Sequence, residues 1–230
     1  MKKLLSFAIF ALLLNTYLAS AQECSRFYPL KEGTTLEYSN YNGKGKAEGK
    51  ITYHISEVST SGGVTSAVMH MQFLDDKGKA ILSSDYKMSC EGDVVRIDFE
   101  SLMNNQMMQQ FGEAEAEITG TDLEIPNDLY VDQKLNDANM QMKVSMGGMN
   151  MNMSVETINR KVEKEESITT PAGTFPCFVI YGENNTKSMM AKNQMSSRTW
   201  LSEGVGVVKQ ENYNKNGKIM GYMELTALSN

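Results

Sequence analysis

Runs of alternating apolar and polar residues, cut at short intervals by Asn, Asp and Gly turns, constrain this chain more than any other feature. The turn signals are Asn42-Gly43-Lys44-Gly45, Ser61-Gly62-Gly63, Asp75-Asp76-Lys77-Gly78, Glu91-Gly92-Asp93, Gly147-Gly148 and Asn214-Lys215-Asn216-Gly217. Between them the segments ITYHISEV, TSAVMHMQFL, AILSSDYKM, VVRIDF, AEAEITG, CFVIYG, VGVVKQENY and IMGYMELTAL repeat with period two. That is the period at which the side chains of a strand return to one face. Short polar loops between such runs join antiparallel neighbours. The expected fold is therefore mainly β: an antiparallel curled sheet, an open barrel or a sandwich. One segment departs from the pattern. Leu102, Met103, Met107, Met108 and Phe111 recur at helical spacing, with Ser101 suited to an N-cap and Gly112 to a stop, so a short helix over 102–111 is expected against one mouth of the sheet.

The first residues belong to targeting and not to the fold. Lys2 and Lys3, the apolar run from Leu4 to Leu14 and Ala19-Ser20-Ala21 follow the order of a secretory signal, with cleavage expected after Ala21. The run falls well short of the roughly 20 residues that cross a bilayer as a helix, and no later segment comes closer. Ala21-Gln22-Glu23 before Cys24 is not the small-residue box of a lipoprotein. The expected organisation is a signal peptide over 1–21 and a single β domain over 22–230, secreted or periplasmic and with no transmembrane segment. The formal charge of −6 becomes more negative once Lys2 and Lys3 are removed. No Lys or Arg cluster remains to track phosphates, which argues against a nucleic-acid partner.

Disulfides persist in an oxidising compartment. Cys24 and Cys90 both sit beside turn-like sequence, whereas Cys177 lies inside the apolar run FPCFVIY. A Cys24–Cys90 bridge is expected, with Cys177 behaving as a small buried hydrophobe.

The chain holds 18 methionines, and the stretch NMQMKVSMGGMNMNMS concentrates them around Gly147-Gly148. With the glycines at a hairpin tip, Met146 opposes Met149, Val144 opposes Met151, Met142 opposes Met153 and Met140 opposes Val155, all on one face. Thioethers select Cu(I), and opposed residues could bring two or three sulfurs onto one ion. Against copper, this is the hairpin's apolar face, and its other face, Gln141, Lys143, Ser145, Asn150, Asn152 and Ser154, offers no Cys or His. Freezing Met costs roughly 0.5–1 kcal/mol more side-chain entropy than Ile or Leu, a loss avoided where the face stays mobile and lines a cavity. Met140, Met142, Val144, Met146, Met149, Met151 and Met153 are thus candidate ligand-binding residues for a lipid-like molecule or an apolar segment of a partner.

His54 and His70 are weaker candidates. If Ser61-Gly62-Gly63 forms a three-residue loop, Ile55 opposes Met69 and His54 opposes His70. Two cross-strand imidazoles could bind Zn or Cu(II), yet a stable site needs further ligands, and solvated histidines are the plainer reading. No Gly-x-Ser-x-Gly elbow, His-Glu-x-x-His, Cys-x-x-Cys or phosphate-binding glycine loop is present. A non-catalytic protein with no cofactor is expected.

Thr170-Pro171-Ala172-Gly173-Thr174-Phe175 before a Cys-containing strand, Thr199-Trp200-Leu201 leading into Gly204-Val205-Gly206-Val207-Val208-Lys209, and Asn216-Gly217-Lys218 occur in that order. The combination resembles TapB-like secreted bacterial proteins, grouped with the domain of unknown function family 3108. The resemblance implies a mostly antiparallel β fold in an envelope or secreted protein and brings no activity with it. By their own chemistry, Pro171 and Gly173 suit a tight turn, and Gly204 and Gly206 suit a bulge or close backbone approach beside Trp200. Three functions remain: a carrier of apolar ligands, a structural interaction module of an envelope or secretion complex, and a Cu(I)-binding protein.

Overall fold

A computed structural model describes residues 24–98, 101, 115–146, 149–188 and 191–229, and the helix expected over 102–111 lies outside them. Among the described residues the alternating runs become strands, and Thr35–Asn42, Leu123–Pro126 and Ala191–Ser202 add strands that those runs did not mark: β1 (Thr35–Asn42), β2 (Ala47–Ser61), β3 (Val64–Asp75), β4 (Ala80–Glu91), β5 (Val94–Ile97), β6 (Glu115–Thr121) and β7 (Leu123–Pro126). The remainder are β8 (Ala138–Met146), β9 (Met149–Thr170), β10 (Gly173–Ser188), β11 (Ala191–Ser202), β12 (Gly206–Asn214) and β13 (Ile219–Ser229). They join a single 13-stranded sheet in the order β6-β8-β9-β10-β11-β12-β13-β1-β2-β3-β4-β5-β7. Each pairing is antiparallel. No helix among the described residues is long and apolar enough to cross a membrane.

The two edges of this sheet, β6 and β7, follow one another in the chain with Asp122 between them. The sheet therefore curls until its edges approach, giving a nearly closed barrel, which shields the edges that invite aggregation. The segment between β7 and β8 spans the remaining gap along β9. Val162 N donates to Gln133 O at 2.9 Å, and Leu135 N donates to Arg160 O at 3.0 Å. Arg160 reinforces the seam through its side chain, donating to Asn136 O at 2.6 Å and to Glu124 O of β7 at 3.0 Å.

Three hairpin turns share one construction. Asn42, Asp75 and Asn214 each accept, at the side-chain oxygen, the backbone N–H two and four residues later, at 2.8–3.2 Å. The glycine three residues on takes φ of 75–80°, a conformation that costs other residues strain.

The β2–β3 hairpin corrects one expectation. His54 opposes His70 and Ile55 opposes Met69, but Ser61 pairs directly with Val64, so the loop is Gly62-Gly63 alone. The register shifts between Ile55 and Glu57 instead, so the extra residue, Ser56, is absorbed by a bulge within β2. The TPAGTF segment forms the expected tight turn: Gly173 pairs with Thr170 across Pro171-Ala172, and β10 begins at Gly173.

Buried residues gather into two cores. The first holds Phe27, Ile55, Met69, Met88, Val162 and Leu201 with their neighbours, and the second holds Leu36, Tyr38, Val179, Trp200, Val208 and Leu225. Phe27 is fully buried and enters from the segment before β1, which the Cys24–Cys90 disulfide ties to the end of β4.

Candidate functional site

Where the two cores meet, the barrel holds a partly open cavity of about 320 Å³. Its wall takes Ile55, Met69 and Ile180 from the first core and Leu36 and Tyr38 from the second. Tyrosines give this wall its character. Tyr53 packs edge-on against Tyr38 at 5.6 Å and against Tyr86 at 6.2 Å between ring centroids, the geometry aromatic quadrupoles favour. Tyr38 donates from its hydroxyl to Val207 O at 2.7 Å. Tyr28 and Tyr53 stand in the same wall. Burial pushes both phenols up to about 12, and those of Tyr38 and Tyr86 well above their ordinary value of 10. All four are neutral donors at physiological pH.

One charged side chain stands in the wall. Arg160 lies on β9 between Ile158 and Val162, two residues from each, and is only 4% exposed. Burial lowers its pKa, while Tyr28, Asp137 and Glu124 act in the opposite sense. A Cβ at Gly182 would sit 3.5 Å from Cγ of Arg160, so the stem of the arginine packs over a glycine of β10. Glu124 does not neutralise it directly. Its two carboxylate oxygens take Nε of Arg96 at 3.2 Å and Nδ2 of Asn136 at 2.6 Å.

The methionine ribbon lies elsewhere. Its ladder follows the alternation, pairing Met140 with Val155, Met142 with Met153, Val144 with Met151 and Met146 with Met149. Met142 and Val144 are 2% and 1% exposed, while Met153 across the ladder is 40% exposed. Among the described side chains none of Met140, Met142, Val144 or Met153 lines the cavity. The side chains of Met146, Met149 and Met151 lie outside the described set. The cavity's own thioethers are Met69, Met88 and Met223.

His54 and His70 are adjacent and exposed. His54 Nδ1 is 3.2 Å from Thr35 Oγ1, and His70 Nδ1 is 2.6 Å from Asp85 Oδ1 with Nε2 3.3 Å from Ser83 Oγ. Among the described residues no three His, Cys, Asp or Glu side chains gather as a metal site. Trp200 is 6% exposed. Its indole N–H donates to Glu166 at 2.7 Å, and Lys209 Nζ stands 5.1 Å from its ring. Gly206 allows the close approach expected there, since a Cβ would fall 3.0 Å from the Tyr28 ring.

Sequence reasoning did not single out Tyr28, Tyr53, Tyr86 or Arg160. The signal for Tyr53 was its parity with Ile51 and Ile55; for Arg160 alternation is no guide, because a register shift opposite Tyr181–Glu183 puts Thr157, and not Ile158, in the wall beside it. A polar tip on an inward position marks a lining that is not solid core.

Two solved structures share this fold. One is a candidate exported protein of Bacteroides fragilis with a YmcC-like fold, 18% identical, with a TM-score of 0.72 over 90% of this chain and 100% of that one. The other is a candidate lipoprotein of Parabacteroides distasonis, 24% identical, with a TM-score of 0.71 over the same shares. No curated protein matches the chain. The model of the DUF3108-like family matches residues 31–225, which takes in β1 through most of β13. With the motifs around Pro171, Trp200 and Gly217 inside that span, the chain belongs to the DUF3108-like family.

Proposed function

We propose that this is a non-catalytic protein of the cell envelope, secreted or periplasmic, whose barrel interior holds an apolar, lipid-like ligand. The observation that carries the reading is the partly open cavity of about 320 Å³, lined mainly by aliphatic and tyrosine side chains with Thr157, Arg160, Asn184, Ser197, Thr199 and Gln210 as its polar members. Ligand sites are typically mainly apolar hollows of about 300–1,000 Å³ with a few placed polar groups. Densely packed interiors hold few voids larger than a water molecule. The envelope address is supported by the signal-like order of residues 1–21 and by the exported or lipoprotein description of the two structural relatives.

Native mass spectrometry of the protein taken from its own envelope tests the proposal. The expected result is a fraction of molecules carrying a lipid-like adduct released by organic solvent. A bare mass, together with no uptake of added decan-1-ol, would overturn it. Retained copper would favour the thioether site at the ribbon, and a co-purifying protein the interaction module.

A further inference from the structure

Resting on the apolar-ligand reading above, we infer that the occupant is a single-chain amphiphile with a carboxylate head, which Arg160 receives while the tail lies among the tyrosine and aliphatic side chains. The chemistry follows from what surrounds the guanidinium. A cation removed from water is costly unless anionic groups and hydrogen bonds replace its hydration. Arg160 is 4% exposed and lines the cavity, yet its hydrogen bonds go to two neutral carbonyls, Asn136 O and Glu124 O. A guanidinium carries five N–H donors, so three remain.

No carboxylate among the described residues makes salt-bridge contact with Arg160. Glu124 turns its oxygens to Arg96 and Asn136, and Asp137 is exposed. A planar carboxylate entering the cavity would match the fork of the guanidinium and add a direct countercharge to the more distant ones of Asp137 and Glu124. Tyr28 and Tyr53 add neutral hydroxyls in the same wall. An ammonium head would meet repulsion, and an alcohol would bring no countercharge. The volume of about 320 Å³ equals roughly ten water-sized groups, which selects a medium-length tail.

The test is calorimetric titration of the solvent-extracted, refolded protein at pH 8 with decanoate, decan-1-ol and decylammonium. Decanoate is expected to bind at least about tenfold more tightly than either of the others, the usual worth of a charge-assisted pair. Arg160→Met should abolish that preference while leaving decan-1-ol affinity within about twofold, and Arg160→Lys should retain part of it. Equal affinity for decanoate and decan-1-ol overturns this inference but leaves the apolar carrier standing. A decanoate preference that survives in folded Arg160→Met also overturns it. Failure of all three probes to bind removes the carrier reading as well. Arg160 helps to hold the β7 seam, so if Arg160→Met does not fold, the comparison of three probes on the wild-type protein decides alone.

Discussion

Met142 and Met153 face one another across β8 and β9, yet one is 2% and the other 40% exposed. Truncating Met142 to Ala removes buried methylenes and leaves a hole, with an expected cost of about 2–5 kcal/mol. Met153→Ala should cost less than about 1 kcal/mol, and urea denaturation of the two variants measures the contrast. Glu166 is held below the usual carboxylate range by hydrogen bonds from Lys164 and then from the Trp200 indole. Because its folded pKa is depressed, its contribution is complete above its ordinary value of 4.5 and is lost as pH falls through the lowered one. Glu166→Gln should therefore flatten the acid limb of the stability curve, as read by thermal unfolding between pH 7 and pH 3. The buried, inert Cys177 was legible from the apolar run around it, and burial raises its thiol to about 11. Arg160 was not legible. An isolated arginine in a strand reads as surface, and its burial depends on which strand closes the barrel, information that lies in the pairing of distant segments.

At the scale of elements, the Asn42, Asp75 and Asn214 turns were readable because they are local. One side-chain oxygen and one left-handed glycine determine each hairpin reversal. Asn214→Ala removes the acceptor for Asn216 N and Lys218 N and should cost about 0.5–2 kcal/mol. Gly217→Ala, at φ 75°, should cost about 1 kcal/mol or more, again by urea denaturation. The β2–β3 register was also readable, since the core face of Ile55 against Met69 specifies it. The device that achieves it was not. A bulge at Ser56 with a two-residue loop gives the same pairing as a regular ladder with a three-residue loop, and packing alone does not separate them. Deleting Ser56 should straighten β2 yet preserve Ile55 opposite Met69 and Ser61 opposite Val64. Cross-strand nuclear Overhauser contacts report this, and loss of either pair would show that the bulge itself sets the register.

The whole molecule is a curled sheet whose edges meet at Asp122 and whose seam is filled by the segment after β7. Sequence periodicity predicts the strands and their antiparallel neighbours, while closure arises from twist accumulated over the whole sheet and leaves no mark in any single run. In the closed barrel the cavity lies on the interior face shared by β2, β3, β4, β9, β10 and β11, and among the described side chains Met140, Met142, Val144 and Met153 do not line it. The Cys24–Cys90 bridge closes a loop with a separation of 66 residues, which on chain-entropy grounds adds about 4 kcal/mol. Denaturation of Cys24→Ser/Cys90→Ser beside the wild type checks that value. The central claim is that the tyrosine-lined interior, and not the ribbon, receives an apolar ligand. Titrating decan-1-ol into protein labelled with ¹³C at the methionine methyl groups tests it most directly. Shifts at Met69, Met88 and Met223, with Met142 and Met153 unmoved, are the predicted result; shifts confined to Met142 and Met153, or none at any methionine, would contradict it.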